Sequence, residues 1–485
     1  MRLELMLVRT TAVVCLLSAA LSNVAQSADW SRFRGPNGSG VSTDAVATPT
    51  AWSETENLKW KVGLPGPGSS SPIVVGERVY VTCWSGYAVD QENPGDPENL
   101  KRHLVSIDRA TGAEVWTATV DAVLPEDPYS ELFAQHGYAS HTPVSDGERI
   151  YVFFGKTGAL ALDLNGNQLW QTGVGTGSGM SGWGTASSPV LYKNLVIVTA
   201  AAESKSLVAL DKQSGEEVWR YENDALRGTW GTPVLVDLAD GRQELAIAVP
   251  GEIWGIDPDT GKQRWRCDGV DDSYLCASVF ADGDVVYVLG GRRGRAVAVR
   301  AGGAGDVTDS HTVWSRGVQS QIATPLLYAG RIYWAGNNTA NCIDALTGEE
   351  VFQSRVESSS RQAPAETAAP TQPTDRQPPP DRAAAAQGGR RQGFGGRGGG
   401  RFGGRGFGGG FGNRGYASVV AADGKLYSTS RNGLITVIAL DTEFKQLAQN
   451  SFDADSGDFS ATPAASDGQL FIRSSKFLYC VEASK

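Results

Sequence analysis

The feature that most constrains the fold of this chain is a repeat of about 45 residues, a period typical of four-stranded propeller blades. Each unit opens with small residues, usually followed by proline, and continues into two short apolar runs separated by a turn. The openings predict eight inner strands. They lie at Ser71-Pro72-Ile73, Thr142-Pro143-Val144, Ser188-Pro189-Val190, Thr232-Pro233-Val234, Ala277-Ser278-Val279, Thr324-Pro325-Leu326, Ala417-Ser418-Val419 and Thr462-Pro463-Ala464.

The units also share a turn that is followed by a large ring. The turn reads Asp-x-x-Thr-Gly or close to it, as from Asp108 to Gly112 and from Asp344 to Gly348. Aspartate accepts hydrogen bonds from the backbone of such a turn, and glycine adopts the left-handed conformation that closes a hairpin. The ring on the next strand is interpreted as packing between blades rather than as a ligand contact. These positions are Trp60, Trp116, Trp170, Trp219, Trp265, Trp314 and Phe352.

The eighth unit is incomplete, because it ends at Phe477-Leu478-Tyr479-Cys480-Val481 without a turn or an outer strand. The segment Leu58-Lys59-Trp60-Lys61-Val62 has the pattern of that missing strand. The prediction is an all-β fold: an eight-bladed β-propeller of four-stranded antiparallel blades over residues 57–485, closed by an N-terminal outer strand. Such a closure removes the free sheet edges that invite aggregation.

At this point the sequence resembles the quinoprotein-like, or PQQ-like, propeller family over roughly residues 50–485, through the Asp-x-x-Thr-Gly-x-x-x-Trp pattern. The segment Asp29-Trp30-Ser31-Arg32-Phe33-Arg34-Gly35-Pro36-Asn37-Gly38 is similar to an exported branch found in planctomycete-type bacteria. The resemblance implies two different functions. One is a dehydrogenase that uses pyrroloquinoline quinone with calcium, and the other is a BamB-like scaffold in the assembly of outer-membrane proteins. A shared fold does not choose between them.

The N-terminal residues predict export. Arg2 and Arg9 precede an apolar stretch from Thr11 to Leu21, so residues 1–28 are typical of a cleaved signal peptide. Residues 29–56 form a lead-in segment before the propeller. Later segments lack the run of about 20 apolar residues that a membrane helix needs. We therefore expect a periplasmic or secreted monomer that does not span a membrane.

The net charge argues against some classes of partner, and the cysteines bear on the disulfide state. A formal net charge of -10 argues against nucleic acid and against anionic membrane surfaces. Five cysteines follow the predicted signal, and only Cys267 and Cys276 are close in sequence. A disulfide between these two and a pair of free thiols both stay open.

In a propeller of this topology, the loops before the inner strands share one face with the loops between the second and third strands. Arginine and tryptophan in these loops predict a cationic, aromatic-lined funnel for an anionic planar ligand such as pyrroloquinoline quinone, or for a peptide or a sugar. Arg473 and Lys476 are expected on the same face. No metal site is predicted, because His136 and His141 stand five residues apart on an irregular loop. The candidate ligand-binding residues are His136, His141, Trp183, Trp230, Arg292, Arg293, Asn337 and Arg431.

The leading functional hypothesis is a non-catalytic binding propeller, whose partner is an envelope or extracellular protein, peptide or carbohydrate. The alternative is a quinone-dependent dehydrogenase that oxidises an alcohol or a sugar with an external electron acceptor. The sequence contains no Cys-Cys dipeptide and no Cys-x-x-Cys-His haem attachment. It also lacks a serine hydrolase elbow and a phosphate loop, so no catalytic residue is assigned.

Residues 357–415 interrupt the propeller with Pro and Ala followed by Gly, Arg and Phe. This composition cannot bury a core and predicts a disordered insert. The insert is locally basic, which suits an anionic polysaccharide or envelope surface as a partner. An inert flexible insert is the other interpretation.

Replacing residues 357–415 by a short Gly-Ser linker is expected to leave the melting temperature within about 2 °C of the parent protein, because the insert contributes no core. Circular dichroism melting measures this. A loss of 5 °C or more would place part of the segment inside the propeller.

Overall fold

The computed structural model describes residues 29–90, 92–130, 133–318, 322–336, 338–357 and 415–483. Its strands form eight sheets arranged as blades around one channel. This is the eight-bladed, four-stranded antiparallel propeller that the repeat predicts. The predicted signal peptide and nearly all of the predicted insert lie outside the described residues.

Each of the first four blades runs in chain order from the channel outward. Blade 1 contains the strands Ile73–Val75, Arg78–Ser85, Lys101–Asp108 and Glu114–Asp121. Blade 2 contains Val144–Ser145, Arg149–Phe153, Ala159–Asp163 and Gln168–Thr172. Blade 3 contains Val190–Tyr192, Leu195–Ala200, Ser206–Asp211 and Glu217–Glu222. Blade 4 contains Val234–Asp237, Gln243–Val249, Glu252–Ile256 and Gln263–Asp268.

Blades 5 to 7 repeat this order. Blade 5 contains Phe280–Asp282, Val285–Gly290, Arg295–Arg300 and Thr312–Gly317. Blade 6 contains Leu326–Tyr328, Arg331–Gly336, Thr339–Asp344 and Glu350–Arg355. Blade 7 contains Val420–Ala422, Lys425–Thr429, Ile435–Ala439 and Gln446–Asn450.

Blade 8 combines the two ends of the described chain. Its strands are Ala464–Ser466, Gln469–Arg473, Phe477–Glu482 and the N-terminal Leu58–Gly63. The N-terminal strand pairs antiparallel to the third strand, with Trp60 opposite Cys480 and Lys61 opposite Tyr479. The predicted closure is confirmed.

Helices are short in the described part of the chain. One α-helical turn, Thr308–His311, lies in the loop before the outer strand of blade 5. That loop also adds a two-residue parallel strand, Gly305–Asp306, to blade 4. The 3₁₀ turns are Pro36–Gly38, Pro97–Asn99, Phe133–Gln135, Gly155–Thr157, Met180–Gly182 and Asp224–Gly228.

The outer-strand rings join each blade to the next one. Trp170 of blade 2 donates its indole N–H to the carbonyl of Lys212 in the turn of blade 3, over 3.0 Å. Its ring lies against Gly215, whose φ is 75° and whose added Cβ would lie 2.6 Å from the indole. Glycine is therefore required at this position for two reasons: the turn needs a positive φ, and a side chain would clash with the indole ring. Trp60, Trp116, Trp219 and Trp314 bond in the same way to the carbonyls of Arg109, Leu164, Pro258 and Ala345.

Two of the seven rings depart from this pattern for a local reason. Blade 5 replaces the short turn by a long loop, and Trp265 of blade 4 instead donates to the buried carboxylate of Glu244, over 2.6 Å. Phe352 has no N–H group to satisfy, and its ring packs 6.0 Å from Phe444 in the turn of blade 7.

The eighth ring position holds Ala448, which pairs with Val437 in blade 7. The neighbouring blade 8 has no turn for a ring to contact, because its outer strand comes from the other end of the chain. Trp52 of the lead-in segment fills this place. It packs 6.3 Å from Tyr427 and bonds through its backbone N–H to the side chain of Asn450.

The inner strands carry a second set of contacts between blades. In seven of the eight openings the hydroxyl group accepts a hydrogen bond from a backbone N–H of the preceding blade, as Thr142 does from Ser71 over 3.0 Å. Seven such bonds of 2.9–3.1 Å link eight residues around the channel. We call these residues the hydroxyl ring: Ser71, Thr142, Ser188, Thr232, Ser278, Thr324, Ser418 and Thr462.

The lead-in segment crosses the channel beneath this ring. The backbone of Trp30 pairs with Val74 of blade 1. The buried guanidinium of Arg34 donates to the carbonyls of Thr324 and Pro325 in blade 6, over 2.8 and 2.6 Å. Val41 then forms a parallel bridge with Ala421 of blade 7. The segment therefore blocks one end of the channel and leaves the other end open.

The Trp219→Phe variant is expected to lose about 1 kcal/mol of unfolding free energy, because the ring stays and only the bond to Pro258 is lost. Trp219→Ala is expected to lose about 3–5 kcal/mol, because it also opens a cavity between blades 3 and 4. Urea unfolding measures both values. Equal losses in the two variants would contradict the assigned role of the ring.

Candidate functional site

The open end of the channel forms a cavity of about 170 Å³ on the loop-rich face. Its floor is the hydroxyl ring, and Phe33 of the lead-in segment also lines it. Among the described residues that form the wall, none is Asp, Glu, Lys or Arg. The cavity wall is therefore neutral, and the cationic funnel expected from the sequence is not found in this part of the chain.

One side of the cavity is aromatic. Trp183, Trp230 and Tyr274 come from the loops that precede blades 3, 4 and 5, and all three line the cavity. The two indole rings lie 6.0 Å apart, and Tyr274 meets each of them edge-on at 5.9 and 6.3 Å. Rings in mutual contact support one another, so this wall offers a fixed apolar surface.

Beside the aromatic wall, the cavity lining is polar and carries His136. Its Nε2 lies 2.8 Å from the carbonyl of Trp183, and its Nδ1 lies 2.8 Å from the hydroxyl of Ser140. A carbonyl only accepts, so Nε2 carries the proton. Burial lowers the pKa of His136 below its usual value, which favours the neutral ring. Both ring nitrogens are engaged, so His136 acts here as a fixed wall residue.

His141 lies beneath the surface and does not line the cavity. Its ring packs 4.7 Å from Phe153, and neither ring nitrogen has a partner among the described residues. Burial lowers its pKa to about 3, helped by the positive charges that His136 and Arg102 carry when protonated. The two histidines predicted together thus occupy different environments.

The arginines predicted for the site lie around its rim. Arg431 donates to the side chain of Gln135 over 2.5 Å and pairs with Asp458, so it joins two sides of the mouth. Arg292 pairs with Asp272 and lies 5.6 Å from the ring of Tyr274. Arg293 is exposed beside Asp271 and lies outside the cavity. Asn337 lies outside the described residues.

Arg473 is fully buried, which corrects its expected place on the ligand face. Its guanidinium donates to the carbonyls of Ser70 and Thr82, over 2.8 and 2.7 Å. Strand 2 of blade 8 therefore holds blade 1 through this side chain. Lys476, by contrast, reaches the exposed hydroxyl of Ser456.

Several lining residues were missed at the sequence level. Tyr274, Cys276 and Tyr416 stand in loops without a repeated pattern, and Phe33 comes from the lead-in segment. The sequence does contain a signal for the hydroxyl ring, because Ser or Thr recurs at every opening. That recurrence alone predicts only where each inner strand starts. Cys267 and Cys276 are not joined by a disulfide bond in the structure.

Buried charges support the loops beside the cavity. Arg102 pairs with Glu126 over 2.5 Å, and Lys156 pairs with Asp127 over 3.0 Å, with all four side chains buried. Glu203 lies near these pairs and is 6% exposed. Burial, together with the nearby carboxylates of Glu126 and Asp127, raises its pKa from 4.5 to about 8.

Eight blades with paired Asp–Gly turns and outer-strand indoles define a PQQ-like repeat propeller. Residues 98–236 and 202–377 match the family described as outer membrane protein assembly factor BamB. The match spans more than half of the chain, and the chain belongs to this family.

One curated relative is an enzyme. The polyvinylalcohol dehydrogenase of Sphingopyxis sp. (strain 113P3) is 25% identical over 261 residues, which are 45% of this chain and 36% of the enzyme. The chain thus spans about a third of that relative's length.

Solved structures share the fold at low identity. BamB from Moraxella catarrhalis has a TM-score of 0.52 at 11% identity, covering 88% of this chain and 97% of its own. A europium-containing methanol dehydrogenase has a TM-score of 0.56 at 12% identity, covering 92% and 89%. The quinohemoprotein alcohol dehydrogenase of Comamonas testosteroni has a TM-score of 0.53 at 12% identity, covering 96% and 82%.

The described residues include no helix with the length and apolar character of a membrane span. Neither this finding nor the similarity to known proteins distinguishes an enzyme from a binding scaffold, because dehydrogenases and BamB share the fold.

Glu203 predicts how stability changes with pH. The folded carboxyl holds its proton up to about pH 8, whereas the unfolded one loses it near 4.5. The folded state binds the extra proton between these values, so the stabilising contribution is complete below pH 4.5 and is lost as pH rises toward 8.

The Glu203→Gln variant is therefore expected to melt a few degrees above the parent protein at pH 8. At pH 4.5 the two proteins are expected to melt at the same temperature. Calorimetric melting at both pH values measures this. Glu216→Gln on the exposed turn of blade 3 is the matched control. An equal shift at both pH values would show that the stability difference does not come from the titration of Glu203.

Proposed function

We propose that this protein is an exported, non-catalytic binding propeller that recognises a protein, peptide or carbohydrate partner at its loop-rich face. The observation that carries this proposal is the neutral cavity, which combines a fixed aromatic wall with a floor of hydroxyl groups. The imidazole of His136, which lines the described cavity, is bonded through both nitrogens, and burial favours its neutral form. These groups suit recognition, whereas acid–base catalysis needs a group free to exchange a proton with the ligand.

Membership in the BamB family supports a partner-binding role and a place in the cell envelope. The N-terminal residues favour export, so we propose a periplasmic or extracellular location. The lead-in segment blocks the far end of the channel, so a partner enters from the loop-rich face only.

The second candidate is a dehydrogenase that uses pyrroloquinoline quinone and calcium, which the dehydrogenase relatives favour. The three carboxylates of that quinone favour cationic partners, and calcium sites in proteins are commonly built around carboxylate oxygens. The described wall of the cavity offers neither a cation nor a carboxylate. The described cavity therefore does not fit the calcium-bound quinone.

Calorimetric titration with pyrroloquinoline quinone and calcium is expected to give no binding at micromolar concentrations. Dye-linked assays with alcohols and sugars are expected to give no reduction above background. Tight quinone binding together with dye reduction would replace the proposal by the dehydrogenase.

A capture experiment tests the binding function directly. Immobilised parent protein is exposed to native envelope and extracellular material beside the Trp230→Ala variant, which lacks one ring of the aromatic wall. Partners enriched on the parent and at least tenfold depleted on the variant are expected. Identical material on both would show that the cavity is not the recognition site.

A further inference from the structure

The cavity also indicates which class of ligand it takes, an inference that rests on the proposed binding function. The hydroxyl ring accepts backbone N–H groups through seven of its eight oxygens, so its O–H groups are still available to donate. None of the eight donates to another atom of the described residues. A serine or threonine hydroxyl both donates and accepts. The floor therefore offers a ring of O–H donors to a ligand in the cavity.

The charges of the lining residues indicate that the ligand is neutral. A carboxylate or a phosphate has no cation among the described lining residues, and an ammonium group has no carboxylate there. Burying an unpaired charge costs far more than burying a hydrogen-bonded hydroxyl. Charged groups are thus disfavoured inside the cavity, although the rim carries Arg431 and Arg292.

The aromatic wall adds an apolar requirement. Trp183, Trp230 and Tyr274 present ring surface on one side, while Ser140 and the floor present polar groups. An aromatic peptide side chain would match the wall but would leave the circle of donors without acceptors, which costs free energy. A sugar ring matches both sides, because its C–H face packs on indoles while its hydroxyls and ring oxygen accept from the floor.

The size of the cavity points to a single ring. Its volume is about 170 Å³, whereas pockets that enclose a drug-sized molecule measure roughly 300–1,000 Å³. The cavity opens on the loop-rich face, so the rest of a longer chain can extend outward past the rim. We propose that this cavity binds one neutral pyranose ring at the end of an oligosaccharide.

Cys276 provides a direct readout because it lines the cavity, while Cys83, Cys267, Cys342 and Cys480 are buried. A bound ring should slow the reaction of Cys276 with a thiol reagent such as 5,5′-dithiobis(2-nitrobenzoate). The Cys276→Ser variant gives the background from the other cysteines.

The experiment uses the full mature chain and neutral trisaccharides of gluco, manno, galacto and xylo configuration, in α and β linkages. At least one probe is expected to slow labelling of Cys276 fivefold or more and to bind in calorimetry with a Kd of about 1 mM or tighter. Trigalacturonate, which carries carboxylates, is expected to bind at least tenfold more weakly than the best neutral probe.

Three variants separate the wall from the fold. Trp230→Ala and Tyr274→Ala are each expected to weaken the best probe tenfold or more, with circular dichroism melting as the check on folding. Leu346→Ala, at a side chain that is 76% exposed on a distant turn, is the control and should bind as the parent does. If one wall variant fails to fold, the other still tests the wall.

The outcomes distinguish the ligand class from the binding function. Absence of protection by every neutral trisaccharide overturns the pyranose proposal. Protection by an aromatic peptide instead, lost in Trp230→Ala, overturns it while the binding function stands. Quinone binding with dye reduction overturns both.

Discussion

A radially placed sheet buries its two faces only against the sheets on either side, so the ring depends on contacts between consecutive blades. The outer-strand indole supplies this contact, since its N–H group bonds to the turn of the next blade and its ring covers the glycine of that turn. The hydroxyl ring repeats the link at the inner end of each blade. Most blades are thereby linked to a neighbour at both the inner and the outer end, which supports the radial arrangement that leaves a channel.

The junction around blade 8 shows how the chain manages an interruption of this scheme. The blade lacks a turn, so the ring of blade 7 has nothing to contact, and Ala448 stands in its place. Trp52 restores the missing aromatic contact from the lead-in segment, and Arg473 ties blade 8 to blade 1 through carbonyl groups. The same lead-in segment then explains the site, because its passage beneath the hydroxyl ring turns an open channel into a cavity with one entrance.

The site was predictable only in part. His136, Trp183 and Trp230 stand in loops that topology assigns to one face, and all three line the cavity. The predicted arginines do not line the described wall, because Arg292 and Arg431 pair with aspartate or glutamine at the rim and Arg293 lies outside the cavity beside Asp271. Loop side chains are long, and their directions depend on neighbours that the repeat does not encode. The sequence therefore predicts which face of the propeller these residues lie on, but not which of them line the cavity.

The sequence by itself determined the number of blades, the position of each turn, the inter-blade rings and the closure through Trp60. These features repeat along the chain, and at most repeats the same local pattern forms the same structure, a glycine turn covered by a ring. Only the tertiary structure decided that Phe33 and Tyr274 share one cavity, that Arg473 is buried and that the cavity wall is neutral. Those features arise where segments distant in the chain meet once, and a contact made once leaves no period in the sequence.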